Sequence, residues 1–322
     1  MIILFYFISV FDYSLGLDAN FAYDNNIFDY SQKYLNEFTQ QIHPERFPFE
    51  TCDDLITDVD VSLTLRNKFI NNRTTTFNLR LYSYNYVINQ EKDYQLFSGG
   101  IRQSFGKYAT KFEYLFIPRY LIRYFQDPTG NVYIGCEFTE HLFTWKNTFS
   151  PNGIVSFGIS LKREIDNYIE NFYFYNSRAN RLEFYLDIVL AKFFEPSLEY
   201  EYKDSKARGP SPDISFQQHM FKLSNIFRLK FPRLSKVNLD YQFKYRFYTT
   251  EASPVLDSPH SGRDDITHLL KLGWEFPVFT MLSLSVSYSY EVRTAYSDVY
   301  LDLGDYKNYR KSLISAGIEF IY

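Results

Sequence analysis

The stretch Ser283–Val292, SLSVSYSYEV, alternates without a break. Leu284, Val286, Tyr288, Tyr290 and Val292 share one parity; Ser283, Ser285, Ser287, Ser289 and Glu291 share the other. Successive side chains of a strand point to opposite faces, so this segment reads as a strand with one apolar and one polar face. A water-soluble sandwich turns the apolar face inward. A membrane barrel turns it outward, to lipid.

The pattern recurs along the chain. Val59, Val61, Leu63 and Leu65 alternate with Asp60, Ser62, Thr64 and Arg66. Phe112, Tyr114, Phe116, Pro118, Tyr120, Ile122 and Tyr124 share a parity opposite Glu113, Arg119 and Arg123. Val155, Phe157, Ile159 and Leu161 face away from Ser156, Ser160 and Lys162. Val237, Leu239, Tyr241, Phe243, Tyr245 and Phe247 oppose Asn238, Asp240, Gln242, Lys244 and Arg246. Residues 94–105 and 132–146 break phase, which points to β-bulges or to strand ends placed wrongly there. About fourteen strands result, long enough to meet the ~9–11 residues a tilted strand needs to cross a bilayer.

Composition agrees with strands at a membrane boundary. Of 322 residues, 20% are aromatic, with 30 Tyr and 33 Phe against 2 Trp, and such rings favour half-buried strands and membrane–water interfaces. The mean hydropathy of -0.31 fits a barrel, which hides alternate residues from lipid. No run beyond residue 11 approaches the ~18 apolar residues of a spanning helix. A net charge of -4 offers no basic stripe for nucleic acid. Cys52 and Cys136 lack metal-type spacing, and the strands carrying them are not expected to be neighbours, so no disulfide is expected.

The connections alternate in length. Short breaks fall near Asn71-Asn72, Gly106-Lys107, Ser150–Gly153, Glu195-Pro196, Pro232-Arg233 and Pro277. Longer polar breaks fall at 24–51, 88–93, 125–131, 166–179, 204–214, 250–264 and 294–308. Short turns at one end and long loops at the other are expected of an up-and-down membrane barrel. Residues 30–42, YSQKYLNEFTQQI, bring Tyr34, Leu35 and Phe38 onto one helical face. This predicts a short helix in the first long loop, read either as a plain helical turn or as an inward plug.

The run Ile2–Phe11, followed by Ser14, Gly16 and Ala19, is similar to a secretory leader, although no Lys or Arg precedes it. The expected organisation is a leader over 1–19 and one barrel over 20–322. Whether residues 15–23 form a strand then decides between an odd and an even strand count.

The chain ends KSLISAGIEFIY, with Ile318, Phe320 and Tyr322 on one parity and an aromatic last residue. Together with the repeated strands, this terminus resembles the bacterial outer-membrane β-barrel superfamily, the porin-like barrels of Gram-negative bacteria. The resemblance implies an all-β antiparallel barrel in the outer membrane, in contact with its lipid. It also implies assembly machinery that engages Ile318, Phe320 and Tyr322; it implies a fold and an address, not a cargo, and passive or weakly selective diffusion of small hydrophilic solutes is expected instead from the charged interior of a barrel wider than eight strands.

On that reading the polar parity lines a pore. The candidate lining residues are Arg80, Glu113, Arg119, Arg123, Lys162, Glu199, Glu201, Lys222, Arg228, Asp240, Lys244, Arg246, Lys271, Glu275, Glu291 and Arg293. Arg119 and Arg123, with Arg80, form a candidate patch for anionic solutes; Glu199 and Glu201 are expected to face Lys222 and Arg228. Opposed acids and bases in a wide lumen set a field for solutes, whereas in a closed one they form a packed salt-bridge network. The alternative function is therefore a closed structural or secretion-partner barrel, acting through its loops on a surface or periplasmic protein.

Catalysis is not expected. Ser258-Pro259-His260-Ser261 places His and Ser together in a long loop, without an evident orienting group. Asp53-Asp54 and Asp264-Asp265 read as solvated strand ends rather than cation ligands, and no metal or cofactor is expected.

Overall fold

The computed structural model describes residues 11–127, 130, 132–209, 212–230 and 235–322. Its strands are β1 (Asp12–Asp24), β2 (Asp54–Lys68), β3 (Thr74–Tyr86), β4 (Tyr94–Phe105), β5 (Tyr108–Gln126), β6 (Tyr133–Phe149) and β7 (Val155–Tyr168). The second half adds β8 (Ser177–Ile188), β9 (Phe194–Ala207), β10 (Phe216–Leu229), β11 (Ser235–Tyr248), β12 (Arg263–Phe279), β13 (Leu282–Ser297) and β14 (Tyr309–Ile321). Each pairs antiparallel with its sequence neighbours, and β1 pairs with β14 to close a fourteen-stranded barrel. Closure leaves no edge strand, so every strand finds backbone partners on both sides, as a bilayer requires.

The opening stretch lies in β13 with its apolar parity outward. Val286 and Tyr288 are 46% and 43% exposed on the outer wall. Ser285 and Ser287 face the lumen, and Ser287 Oγ bonds Ser315 Oγ of β14 at 2.7 Å. Aromatic residues are not confined to the outer wall, however. In β3 it is Leu79 and Leu81 that face outward, while Tyr82, Tyr84 and Tyr86 turn inward and stack towards Tyr94.

Two of the expected turns need correction. Glu195 and Pro196 lie inside β9, near its start, where a missing N–H is tolerated; the turn comes earlier, over 189–193. Pro277 stays inside β12, beside a register shift between Pro277 and Phe279, and the chain turns at Thr280-Met281. The break near Pro232-Arg233 lies outside the described residues. Elsewhere Asn71, Asn72 and Gly106 adopt left-handed φ of 50°, 54° and 74°, which Asn tolerates in tight turns and Gly, lacking a Cβ, takes freely.

Bulges also sit elsewhere than predicted. Registers through β4 and across β6–β7 are continuous. The shifts lie in β5, between Ile117 and Tyr120 and between Leu121 and Tyr124. Pro118 sits in the first of these, where it has no donor to give the ladder.

β1 bears on the leader. Asp12–Ala19 pairs with β2 throughout, and Gly16–Ala19 also with β14, so these residues belong to the wall. The expected leader over 1–19 therefore overlaps β1 from Asp12 to Ala19. Residues 1–10 lie outside the described residues.

The best-buried apolar cluster is inside the barrel mouth. Between β1 and β2 the chain forms α1 (Gln32–Thr39), capped by Ser31, whose Oγ accepts the Tyr34 N–H at 3.3 Å. Ile27, Phe28, Tyr30, Tyr34, Phe47 and Phe49 of this loop pack with Ala22, Ile56, Tyr86 and Leu121 of the wall. Phe28 meets Phe49 at 3.8 Å and Phe49 meets Tyr124 at 5.2 Å. Asn26 holds the turn: its Nδ2 donates to the carbonyls of Tyr30 and Arg310, and its Oδ1 accepts the Tyr30 N–H. The segment is both helical and folded inward. Burying this apolar surface stabilises the inward seat at roughly 25 cal/mol per Å².

Candidate functional site

The inward parity of the strands builds a charged lumen, and the described residues enclose two cavities along it. One, of about 750 Å³, lies towards the short turns. Its lining includes Asp18, Asp58, Asp60, Asp240, Glu275 and Glu319, with Arg80 and Lys271 as the cations. The other, of about 620 Å³, lies beneath the long loops and carries Arg46, Arg123, Lys203, Arg246, Arg263, Arg293 and Lys307. Negative charge thus collects near the turns and positive charge near the loops.

The wall of β7, β8 and β9 is knitted by ion pairs. Lys162, Arg181 and Lys203 stand side by side in register, an arrangement of like charges that destabilises a sheet unless acids lie diagonal to it. They do. Glu183 and Glu201 sit one step towards the turns, and Glu164 one step towards the loops. Lys162 pairs with Glu183 and reaches Glu201 at 3.1 Å; Glu164 pairs with Arg181 and takes Lys203 at 2.8 Å. This part of the lumen is structural packing in charged form.

The predicted lining residues separate into groups. Lys162 and Glu201 meet in that network. Glu113 pairs with Lys111, Arg80 bonds Asp60 at 2.7 Å, and Arg228 grips Glu195 through two bonds of 2.8 and 3.0 Å. Glu275 takes Lys236 at 2.9 Å, Glu199 lies in register with Lys222, and Asp240 with Lys271. Glu291 accepts the Tyr309 hydroxyl, and Lys244 stands in register between Met220 and Thr267.

The Arg80–Arg119–Arg123 patch does not form. Arg80 belongs to the acidic cavity and Arg123 to the basic one. The double bulge in β5 takes Arg119 out of phase, and it forks onto Glu137 at 2.9 and 2.6 Å. Glu201, in turn, serves Lys162 rather than Arg228.

Sequence reading missed Lys203, Arg263 and Lys307. Lys203 shares the parity of Glu199 and Glu201, so alternation alone could have found it. Arg263 and Lys307 come from a strand end and from α2 (Leu303–Lys307), whose position only the folded loops fix. Lys307 sits close enough to other cations that its ammonium is held well below the ordinary lysine range, by burial first and then by Arg123, Arg263 and Arg293.

Three expectations about the rim also change. Asp54 is buried and accepts the N–H groups of Ile88 and Asn89, at 3.1 and 2.8 Å. Asp265 is buried in a fork with Arg263, at 2.7 and 2.6 Å. His260 does have an orienting group: Asp257 Oδ1 lies 2.7 Å from its Nδ1. Burial alone would raise the Asp257 pKa, but the hydrogen bond and charge of His260 outweigh it and hold the carboxyl low. Asp257 also accepts the Asp213 N–H at 2.8 Å, so the pair ties two long loops together.

Solved structures share this architecture. An anion-selective porin from Comamonas acidovorans aligns at TM-score 0.51 and 8% identity, over 97% of this chain and 99% of that one. OmpT, an outer membrane protein of Vibrio cholerae, aligns in trimer form at TM-score 0.53 and 8% identity, over 97% and 99%. The chain thus shares the closed antiparallel β-barrel fold of these outer-membrane proteins. No family model and no curated protein matches it.

Proposed function

We propose that the barrel is a passive channel for small hydrophilic solutes, narrowed at its outer mouth by the inward-folded first loop. The carrying observation is the lumen: two charged cavities of about 620 and 750 Å³ lie within one closed barrel. Fourteen strands exceed the eight whose interior side chains alone can fill. The reading assigns no catalysis. Asp257 and His260 act as a latch between loops, and assembly machinery engages Ile318, Phe320 and Tyr322. Liposome swelling with sugars of graded size tests the channel: small sugars enter and larger ones are excluded. Folded barrel that gives no swelling with any sugar contradicts it.

The closed-barrel alternative has one observation in its favour, the aromatic cluster of the first loop seated inside the mouth. Deleting residues 27–49 separates the two. On the channel reading the deletion enlarges an existing conductance; on the closed reading it creates one where the intact barrel is silent.

A further inference from the structure

The cavity beneath the long loops is unbalanced in charge. Arg123 of β5, Lys203 of β9, Arg246 of β11, Arg263 of β12, Arg293 of β13 and Lys307 of α2 converge on it. The acids in its lining are Asp166 and Asp257. Two of the cations are neutralised, Arg263 by Asp265 and Lys203 by Glu164. Arg46, the seventh cation of the lining, donates to the neutral Tyr34 hydroxyl at 2.6 Å, and Arg123, Arg246, Arg293 and Lys307 are not neutralised either.

Arg246 rests on a neutral amide, Gln218 Oε1, at 3.1 and 2.9 Å. Arg293 donates to the backbone carbonyl of Lys307 at 3.0 and 2.9 Å. Neither bond supplies negative charge. Among the described residues, Arg123, Arg246, Arg293 and Lys307 make no ion pair with an acid. Arg123 is the sharpest case: its Nε is shut off from solvent and has no hydrogen-bond partner. Its guanidinium faces the rings of Phe125 at 5.3 Å and Tyr30 at 5.8 Å.

Like charges gathered away from water are unfavourable unless an opposite charge joins them. A bound anion would satisfy Arg123 and offset the mutual repulsion of the four cations. The cavity also has aromatic walls, with Tyr168, Tyr175, Phe216 and Tyr248 in its lining. Arg246 lies over the Phe216 ring at 4.0 Å, and that planar pair offers a stacking face. A volume of about 620 Å³ corresponds to roughly twenty waters by share of liquid volume, room for one compact organic molecule.

We infer that this cavity is a saturable binding site for a compact organic dianion, bearing carboxylate or phosphate groups on a planar body. Arg123, Arg246, Arg293 and Lys307 take the oxyanions; Phe216 and Tyr248 take the planar part. The inference rests on the channel reading for how such a solute arrives, but binding itself does not require conduction.

Isothermal titration calorimetry on the detergent-folded barrel tests it, with phthalate as the aromatic dianion, inorganic phosphate as the bare anion and benzamide as the uncharged control. Saturable phthalate binding is expected, weakened by salt, with phosphate weaker and benzamide undetected. Arg123→Gln and Lys307→Gln should each weaken phthalate about ten-fold, the size of one lost charge-assisted hydrogen bond. Should Arg123→Gln fail to fold, Lys307→Gln, on a loop helix outside the wall, carries the test. Wild-type barrel that binds phthalate no better than benzamide overturns the inference, as does phthalate affinity unmoved by Lys307→Gln. Phthalate binding by a barrel that gives no conductance sustains the site and overturns only the channel. Conductance without phthalate binding does the reverse.

Discussion

Arg263 and Asp265 are two residues apart in β12, and each side chain is only 4% exposed. Their two bonds of 2.7 and 2.6 Å leave little of either charge to water. Removing one partner strands the other, so Asp265→Ala should destabilise the barrel by about 3–5 kcal/mol, while Arg263→Met with Asp265→Leu should lose far less. Urea titration of the heat-shifted gel band measures both; equal losses would mean that burial of an unpaired charge is not what matters. Residues were the least legible scale in the sequence. Alternation puts Arg119 and Arg123 on one face, and the bulges in β5 undo it. Pro118 was the available sign, since a proline inside a strand marks a break in the ladder. Arg263 and Lys307 carried no such sign.

The first loop shows what an element's sequence can and cannot say. The helical face of Tyr34, Leu35 and Phe38 was legible from spacing. Its inward seat depends on contacts with β3, β5 and the loop carrying α2, none of them local. Lys92, between β3 and β4, lies under this seat and donates to the carbonyls of Leu121 and Ile122, both at 3.1 Å, with Phe28 stacked 4.8 Å from its ammonium. Burial, the dominant influence, lowers its pKa to about 7 from an ordinary lysine's 10.5. Between these values the unfolded loop binds more protons than the seated one, so the seat strengthens as pH rises through that window and is weakest below it. Hydrogen exchange over residues 27–49, corrected for intrinsic rate, should therefore show more protection at pH 9 than at pH 6.5. Lys92→Met should flatten that difference; an equal slope in both proteins would place its origin elsewhere.

At the scale of the whole molecule the sequence was most informative, because the outer wall and the lumen of a closed barrel impose opposite demands on alternate residues of every strand. Strand number, the alternation of turn and loop lengths, and the aromatic closing strand all follow from that constraint. The register of β1 was hidden by its resemblance to the end of a leader. In the fold, Leu15 exchanges both backbone hydrogen bonds with Tyr322, at 2.9 Å each, and this closes the wall. The outer face should tolerate charge poorly. Leu272, 50% exposed midway along β12, should cost about 2–4 kcal/mol as Leu272→Arg in lipid vesicles, against almost nothing in a water-filled lumen.

The most direct measurement is single-channel conductance of the refolded barrel in a planar bilayer, with the heat-shifted gel band establishing that the protein is folded. Steady, discrete current steps that block reversibly when phthalate is added on the loop side are the expected result. A correctly folded barrel that inserts and passes no current, with the first loop present or deleted, would contradict the channel.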